Sequence, residues 1–303
     1  MKVALIGAGA VGGYFIWGME NAPKNDRQFT VVADGSRLNR LTEKGIKVNG
    51  NLYHPSVATP EEAGPQDVII FAVKGNATAE AARMLPPLIG DDTVVLSMLN
   101  GADSEEIIAD VIGREHVLHS IIMIASRRFD DEIVFDSTYN TTVYYGAVDI
   151  PNAGKKLKMV EGAVSDTQLH FVKSNDIMFD IWTKYAKNIS NNLPQAVLGV
   201  PAALYTRSEH GLFLAKKLWA EVRALAHIRG VDLPEEVGIY ECADSSRYST
   251  LQDLDAKRTT EIESLCGYLL DMASENNIAV PYIEYTYHAI KAIEEKNAGL
   301  FDC

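Results

Sequence analysis

Residues 2–12 read KVALIGAGAVG, an apolar run that leads into three glycines spaced as G-x-G-x-x-G. The run is typical of a buried strand, and a helical pattern follows the glycines. In such a strand–turn–helix, Gly7 allows the tight turn, Gly9 lets the backbone approach a pyrophosphate, and Gly12 lets the helix pack close to the strand. The stretch therefore predicts a Rossmann-type dinucleotide site, with a ligand-free glycine turn as the alternative. The predicted cofactor contacts here are Gly7, Gly9, Ala10, Val11 and Gly12.

The remainder of the first half alternates short apolar runs with helical patterns. Continuous Val/Ile/Leu runs separated by helices are typical of a parallel sheet that is covered on both faces. The predicted strands are Lys2–Ile6, Phe29–Ala33, Val68–Val73, Thr93–Ser97, Val117–Ile124, Glu132–Ala147 and Gln168–Lys173. The predicted helices are Val11–Met19, Ser36–Lys44, Ala77–Leu85 and Ser104–Ile112.

The second half changes character at Ile177, after which the pattern is almost entirely helical. Proline and glycine interrupt that pattern and divide it into separate helices. The fold class that we expect is α/β, an N-terminal Rossmann-type doubly wound parallel sheet followed by an all-α C-terminal domain. The expected domains are a dinucleotide-binding domain over residues 1–174 and a helical substrate and catalytic domain over residues 175–303.

Composition narrows the classes of partner. A length of 303 residues is typical of about two domains. The net charge of −13 disfavours nucleic acid, because such a field repels polyphosphate. No apolar run is long enough for a membrane span. Cys242, Cys266 and Cys303 lack metal-ligand spacing, and the histidines are scattered, so we expect no metal and a cytoplasmic protein.

The second predicted strand ends at an acidic residue. Asp34 follows Gly12 by 22 positions, which is near the spacing of an acid that binds the adenosine ribose hydroxyls. A carboxylate at that point repels a 2′-phosphate and favours NAD. Arg37 lies three residues further on and could instead pair with the 2′-phosphate of NADP. A helix N-cap is the structural alternative for Asp34.

Polar side chains follow two further strands. Lys74 comes directly after Val68–Val73, and Asn100 follows Thr93–Ser97. Ligands of open α/β sheets bind at the carboxyl ends of the strands, which makes both residues candidates for cofactor contact. For Lys74 the alternative is a solvated strand end.

A later helix carries a polar stripe. Lys184, Asn188 and Asn192 stand at i, i+4 and i+8, and therefore share one helical face. The alternative is an exposed polar face, with Trp182 and Ile189 on the buried side.

Taken together, these motifs resemble the ketopantoate reductases (2-dehydropantoate 2-reductases), and the resemblance extends over nearly the whole chain. The residues that carry it are the glycine motif, Lys74, Asn100-Gly101, the W-x-K-x-x-x-N helix at Trp182, Lys184 and Asn188, Ser249–Asp253 and Arg258–Ile262. The resemblance implies NADP-dependent reduction of 2-dehydropantoate to pantoate, on the route to pantothenate.

Site roles follow from the resemblance residue by residue. It implies that Lys184 is the catalytic lysine and Glu261 an acid close to the active centre. It places Lys74 and Asn100 near the nicotinamide and the substrate. The implied substrate-binding residues are Asn100, Asn188, Asn192 and Ser249.

Two positions depart from the family pattern. Asp34 stands where the family usually has an arginine for the 2′-phosphate, and Ala202 stands where it has a further substrate asparagine. These departures keep open a rival function, NAD-dependent reduction of another small 2-oxo acid. A dinucleotide sensor without turnover is a third possibility. Two of the implied site residues also have a structural alternative, in which Glu261 pairs with Arg258 and Ser249 caps a helix.

The proposed chemistry is sound independently of the resemblance. A ketone that accepts hydride gains negative charge on its oxygen, which a positioned ammonium group such as that of Lys184 stabilises and then protonates. Glu261 would keep that ammonium charged and oriented. The expected partners are a small 2-oxo acid and, through the helical domain, a second copy of the chain.

Overall fold

The computed structural model describes residues 1–23, 26–129, 131–136 and 141–301. Cys303 and residues 137–140 of the predicted strand region lie outside these ranges. The chain forms two compact units. The first contains Met1–Leu99 and Asp103–Ile177, and the second contains Asn100–Ala102 and Met178–Cys303.

In the first unit, the described residues form an eight-stranded sheet in the order β12-β11-β8-β7-β6-β1-β2-β5. Its strands are β1 (Lys2–Ile6), β2 (Gln28–Val32), β5 (Ser56–Ala58), β6 (Val68–Phe71), β7 (Val94–Ser97), β8 (Val117–Met123), β11 (Thr142–Gly146) and β12 (Phe171–Lys173). Neighbouring strands from β8 to β5 run parallel, and β11 runs antiparallel to β8.

Helices cover both faces of this sheet. They are α1 (Ala10–Glu20), α2 (Gly35–Lys44), α3 (Pro60–Ala63), α4 (Thr78–Ala82), α5 (Ser104–Ile112) and α6 (Ala153–Val164). Alternate residues of β1 enter different cores: Val3 and Leu5 pack with α1 and α6, whereas Ala4 and Ile6 pack with α4 and α5. Because both faces are buried, the strands are apolar at every position rather than at every second one.

The strand order changes direction at β1. β2 pairs with one side of β1 and β6 with the other, so the chain reverses its direction of winding there. Ligands of doubly wound sheets bind at the carboxyl end of such a reversal. The glycines that follow Ile6 lie at this position.

A small second sheet was anticipated only in part, because one of its strands lies within the predicted strand Glu132–Ala147 and the other three were missed. It has the order β4-β3-β10-β9 among the described residues. Its strands are β3 (Ile46–Val48), β4 (Asn51–Tyr53), β9 (Ser126–Phe129) and β10 (Glu132–Phe135). Segments of three or four residues are too short to show a period of two, and two of the strands pair from distant parts of the chain. Helix α6 was also missed, and β12 begins at Phe171 rather than at Gln168.

The second unit is helical and has its own apolar core. Its α-helices are α7 (Ile177–Lys187), α8 (Leu193–Leu198), α9 (Ala203–Arg207), α10 (Glu209–Ile228), α11 (Ser249–Asp255), α12 (Tyr268–Glu275) and α13 (Pro281–Asn297). Trp182, Trp219 and Leu269 are among its fully buried side chains. Two π-helical turns, Asn188–Asn192 and Glu263–Gly267, interrupt the α-helices. The predicted fold class, a doubly wound sheet followed by an all-α half, is confirmed. Across the described ranges, the helices lack the length and apolarity to cross a bilayer.

Candidate functional site

The glycine turn (Gly7–Gly12) connects β1 to α1, and steric contacts explain two of its three glycines. Gly7 has φ +101°, and a Cβ there would lie 2.4 Å from the Ala72 carbonyl oxygen. A Cβ on Gly12 would lie 1.9 Å from the Gly7 carbonyl oxygen. Both positions therefore require glycine for the fold itself.

Gly9 differs from its two neighbours. A Cβ built on Gly9 would meet no atom within 4 Å, so the fold itself does not require glycine at this position. The space that a side chain would fill is the space through which a pyrophosphate approaches the backbone in a dinucleotide site. This part of the turn fits a nicotinamide dinucleotide.

The beginning of α1 suits a phosphate electrostatically. Gly9 occupies the N-cap position without a side chain that could cap the helix, and the first turn contains no acidic residue. The first N–H groups of a helix have no intrahelical partner, and its N-terminus has a partial positive charge. Ala10 and Val11, the predicted contacts, form the first turn of this 11-residue helix.

The other candidate cofactor residues of the first unit are exposed. Asp34 occupies the N-cap position of α2, but its carboxylate makes no capping hydrogen bond. Its backbone carbonyl accepts the N–H groups of Arg37 and Leu38, each at 3.1 Å. Arg37 is exposed, as is Lys74, which precedes a 3₁₀ turn after β6. Exposed charges of this kind can contact a ligand that lies along the surface of the unit.

The second unit brings together three residues from distant parts of the chain, which we call the lysine cluster (Asn100, Lys184 and Glu261). Lys184 Nζ donates to Asn100 Oδ1 at 3.0 Å. Asn100 Nδ2 donates to Glu261 Oε2 at 3.4 Å, which is a long contact. The side-chain amide of Asn100 thus connects an ammonium group to a carboxylate.

Local structure positions each member of the cluster. Lys184 lies in the last turn of α7, and Glu261 directly precedes a helical segment that begins at Ile262. Asn100 lies in a turn where Gly101 has φ +125°, a backbone conformation that side-chain-bearing residues rarely adopt.

Two opposing effects act on the pKa of Lys184. Burial lowers that pKa to about 8, and the negative charge of Glu261 raises it. Burial is the larger effect because removal of an ammonium group from water disfavours its charged form. A lysine with this pKa is still mostly protonated at pH 7 and gives up its proton more readily than an exposed lysine.

Asn188 and Asn192 do not form an exposed polar face. Only 7% of the Asn188 surface and 6% of the Asn192 surface is accessible. Asn188 Oδ1 accepts a hydrogen bond from the Tyr240 hydroxyl at 3.0 Å. Asn192 Oδ1 is buried and has no hydrogen-bond partner within the described part of the chain. Both amides lie in the first π-helical turn, a type of distortion that is frequent at functional sites.

The remaining candidates of this unit are Ser249 and Arg258. Ser249 is exposed and is the first residue of α11, whose N-cap is Tyr248. Arg258 Nε pairs with Asp253 Oδ1 at 2.8 Å, a partner that the sequence analysis did not identify. Within the described ranges, no group of three or more His, Cys, Asp or Glu residues could hold a metal ion.

One contact of the site was missed by the sequence analysis. Tyr240 lies in the irregular segment between α10 and α11, where no periodicity marks it, and yet its hydroxyl contacts Asn188. Asn191 lies in the same π-helical turn as Asn188 and Asn192. It is fully buried, and its side chain binds the backbone of the segment that contains Tyr240.

Comparison with known proteins gives consistent findings across the chain. The family model described as "Ketopantoate reductase PanE/ApbA" matches residues 3–149, and the model for the C-terminal part of that family matches residues 176–294. A 2-dehydropantoate 2-reductase from Nostoc sp. is 25% identical, over 98% of this chain and 96% of the relative.

Solved structures show the same fold. A D-mandelate dehydrogenase, in a ternary structure with NADH and anilino(oxo)acetate, matches with a TM-score of 0.86 at 20% identity, over 98% of this chain and 99% of that chain. A PanE/ApbA family ketopantoate reductase from Ralstonia eutropha matches with a TM-score of 0.80 at 20% identity, over 98% of this chain and all of that chain.

Proposed function

This chain belongs to the ketopantoate reductase family, and from that premise we propose that it reduces 2-dehydropantoate to pantoate, with Lys184 as the general acid. As a member of that family, it is an oxidoreductase that depends on a nicotinamide cofactor. The observation that carries the finer proposal is the lysine cluster, which holds an ammonium group beside an amide and a carboxylate.

The reaction converts a ketone to an alcohol. A nicotinamide cofactor, when bound, would supply hydride to the ketone carbon. In the proposal, the Lys184 ammonium donates a hydrogen bond to the ketone oxygen and stabilises the negative charge that forms there. Its proton then moves to that oxygen, and the resulting amine takes up a proton from solvent. A pKa of about 8 suits this role because it lies near neutral pH.

The other two members of the cluster support that proton transfer. Asn100 Oδ1 fixes the direction of one N–H bond of the ammonium group. The Glu261 charge raises the pKa of Lys184 and so preserves the protonated form. Asn188 and Asn192 are proposed to bind the substrate through their amides. Ser249, which is exposed, is proposed to bind its carboxylate.

The first unit is proposed to hold the dinucleotide through the glycine turn, with Asp34, Arg37 and Lys74 as further contacts. The choice between NAD and NADP depends on two opposite charges. Asp34 repels a 2′-phosphate, whereas Arg37 attracts one.

The homodimer and the cytoplasmic location remain predictions.

A second candidate function has its own support. Ala202 is buried, with 6% of its surface accessible, and stands where the family resemblance implies a substrate asparagine. An alanine binds no substrate hydroxyl. The structurally similar D-mandelate dehydrogenase, which was solved with an anilino(oxo)acetate, makes an aryl-substituted 2-oxo acid the natural second substrate to test.

Steady-state rates separate these functions. The purified protein is assayed with 2-dehydropantoate and with an aryl 2-oxo acid, each in the presence of NADPH or NADH. We expect kcat/KM to be highest for 2-dehydropantoate. A higher value for the aryl acid would favour the second candidate. Tight dinucleotide binding with no turnover of either acid would contradict both and indicate a sensor.

A further inference from the structure

We infer that Tyr240 is a positioning residue, whose hydroxyl fixes the Asn188 amide so that its N–H groups, rather than its oxygen, face the substrate. This inference rests on the proposed function, since Asn188 meets a substrate only under that proposal. It also names the substrate chemistry at this position, which is a hydrogen-bond acceptor such as a carboxylate oxygen.

The contact between the two side chains sets the orientation of the amide. The Tyr240 hydroxyl donates to Asn188 Oδ1 at 3.0 Å. A side-chain amide has an acceptor end and a donor end, and the two are directed to opposite sides. Because the phenol binds the oxygen end, the Nδ2 group of Asn188 is directed away from Tyr240.

The Tyr240 backbone is anchored independently of its hydroxyl. Its N–H donates to Asn191 Oδ1 at 2.9 Å, and Asn191 Nδ2 donates to the Gly238 carbonyl at 3.0 Å. Asn191 is fully buried and belongs to the same π-helical turn as Asn188. The same π-helical turn therefore holds Tyr240 at two points. Asn191 accepts its backbone N–H, and Asn188 accepts its hydroxyl.

The ring of Tyr240 is held as well. Lys187 Nζ lies 5.4 Å from the ring centroid, within the range of a cation–π interaction. The Tyr248 ring packs edge-on at 5.6 Å between centroids. Burial raises the pKa of the Tyr240 phenol, so the hydroxyl remains protonated and can act as a donor at physiological pH.

A fixed amide discriminates between ligands. A freely rotating asparagine can turn either its oxygen or its N–H groups toward a ligand, whereas an asparagine whose Oδ1 is held by Tyr240 keeps its N–H groups directed away from the phenol. Asn188 therefore suits a carboxylate or carbonyl oxygen and disfavours a substrate that presents an N–H or ammonium group at the same place.

The test compares Tyr240→Phe with Tyr248→Phe as a matched control. The Tyr248 hydroxyl lies 3.0 Å from Cys242 Sγ, so the control removes a hydroxyl from the same ring pair without removal of the contact to Asn188. In steady-state assays with the preferred 2-oxo acid, Tyr240→Phe is expected to raise KM about tenfold and to change kcat less than about twofold, the effect of one lost interaction. The control is expected to leave both constants unchanged.

A double-variant cycle shows whether Tyr240 acts through Asn188. We expect Asn188→Ala and the combined Asn188→Ala/Tyr240→Phe protein to have the same KM, since no amide is left to orient. An unchanged KM in Tyr240→Phe, or effects that multiply in the combined variant, would overturn the inference.

A readout without substrate separates this inference from the proposed function. The side-chain amide resonances of Asn188 are assigned by their loss in Asn188→Ala. They are expected to shift in Tyr240→Phe and to stay in place in Tyr248→Phe. If the wild-type protein reduces no 2-oxo acid, the proposed function fails, and these resonances still decide whether Tyr240 orients the amide. Unshifted resonances in Tyr240→Phe would overturn the inference.

Discussion

The glycine turn and the lysine cluster are assembled in opposite ways. The turn consists of six consecutive residues, and its properties come from the absence of side chains. In the cluster, Lys184 and Asn100 are separated by 84 positions, and Asn100 and Glu261 by 161. The turn needs only local backbone geometry, whereas the cluster exists only when the helical unit has folded.

The proposed binding of the dinucleotide therefore depends on the glycine turn, and the proposed proton transfer depends on the lysine cluster. Steric contacts within the first unit require Gly7 and Gly12 in any folded state, and Gly9 alone keeps space open for a ligand. In the second unit, burial and a nearby carboxylate together set the pKa of one ammonium group. Substitutions in the two regions should therefore affect different measurable quantities.

The largest expected effect is on turnover. Lys184→Ala removes the proposed general acid and is expected to lower kcat by at least about 10², the scale of a lost acid catalyst. Dinucleotide affinity, measured by fluorescence titration, should stay within about twofold, because the glycine turn that is proposed to hold the pyrophosphate does not involve Lys184. A variant with near-normal kcat would remove Lys184 from the mechanism.

A matched pair of glycine substitutions tests the contrast within the turn. Gly12→Ala places a Cβ 1.9 Å from a backbone oxygen and should lower the free energy of unfolding by about 3 kcal/mol. Gly9→Ala has open space and φ −92°, so stability should change by less than about 0.5 kcal/mol.

In a binding assay, the informative member of this pair is Gly9→Ala. Gly9→Ala should weaken the dinucleotide about tenfold, because its methyl group lies where the pyrophosphate approaches. Denaturant unfolding and dinucleotide titration measure the two quantities separately. If Gly9→Ala bound the dinucleotide normally, the open space at Gly9 would not be part of the cofactor site.

The sequence was most informative where the physics is local. Strand β1 and the turn into α1 were predicted correctly, because a buried strand and a tight turn are both recognisable from consecutive residues. The partnership of Lys184 with Asn100 and Glu261 could not come from spacing. Resemblance to a family supplied those residues, and the structure supplied their contacts.

Other features of the structure could not be predicted from the sequence. Strands β3 and β4 have three residues each, which is too few for periodicity. Tyr240 lies in an irregular segment, and its importance depends on a hydrogen bond to a residue 52 positions away. Asn191 belongs to the same asparagine-rich stretch as Asn188 and Asn192, but only its contacts distinguish it as an anchor for the backbone.

A smaller effect is expected at the exposed end of the cofactor site. Asp34→Arg replaces a charge that repels a 2′-phosphate with one that attracts it, beside the existing Arg37. We expect the ratio of kcat/KM with NADPH to that with NADH to rise about tenfold, equivalent to about 1.4 kcal/mol. This ratio is measured for the wild-type protein and for Asp34→Arg at the same ionic strength. Equal ratios in both proteins would show that Asp34 does not face the ribose.

The pH dependence of kcat/KM tests the role of Lys184 most directly. Its pKa of about 8 predicts that kcat/KM is constant near pH 7 and falls above pH 8, as the ammonium group loses its proton. Glu261 raises that pKa, so Glu261→Gln should move the falling limb to lower pH. A profile that stays flat through pH 10, or a limb that does not move in Glu261→Gln, would contradict a general acid at Lys184 controlled by Glu261.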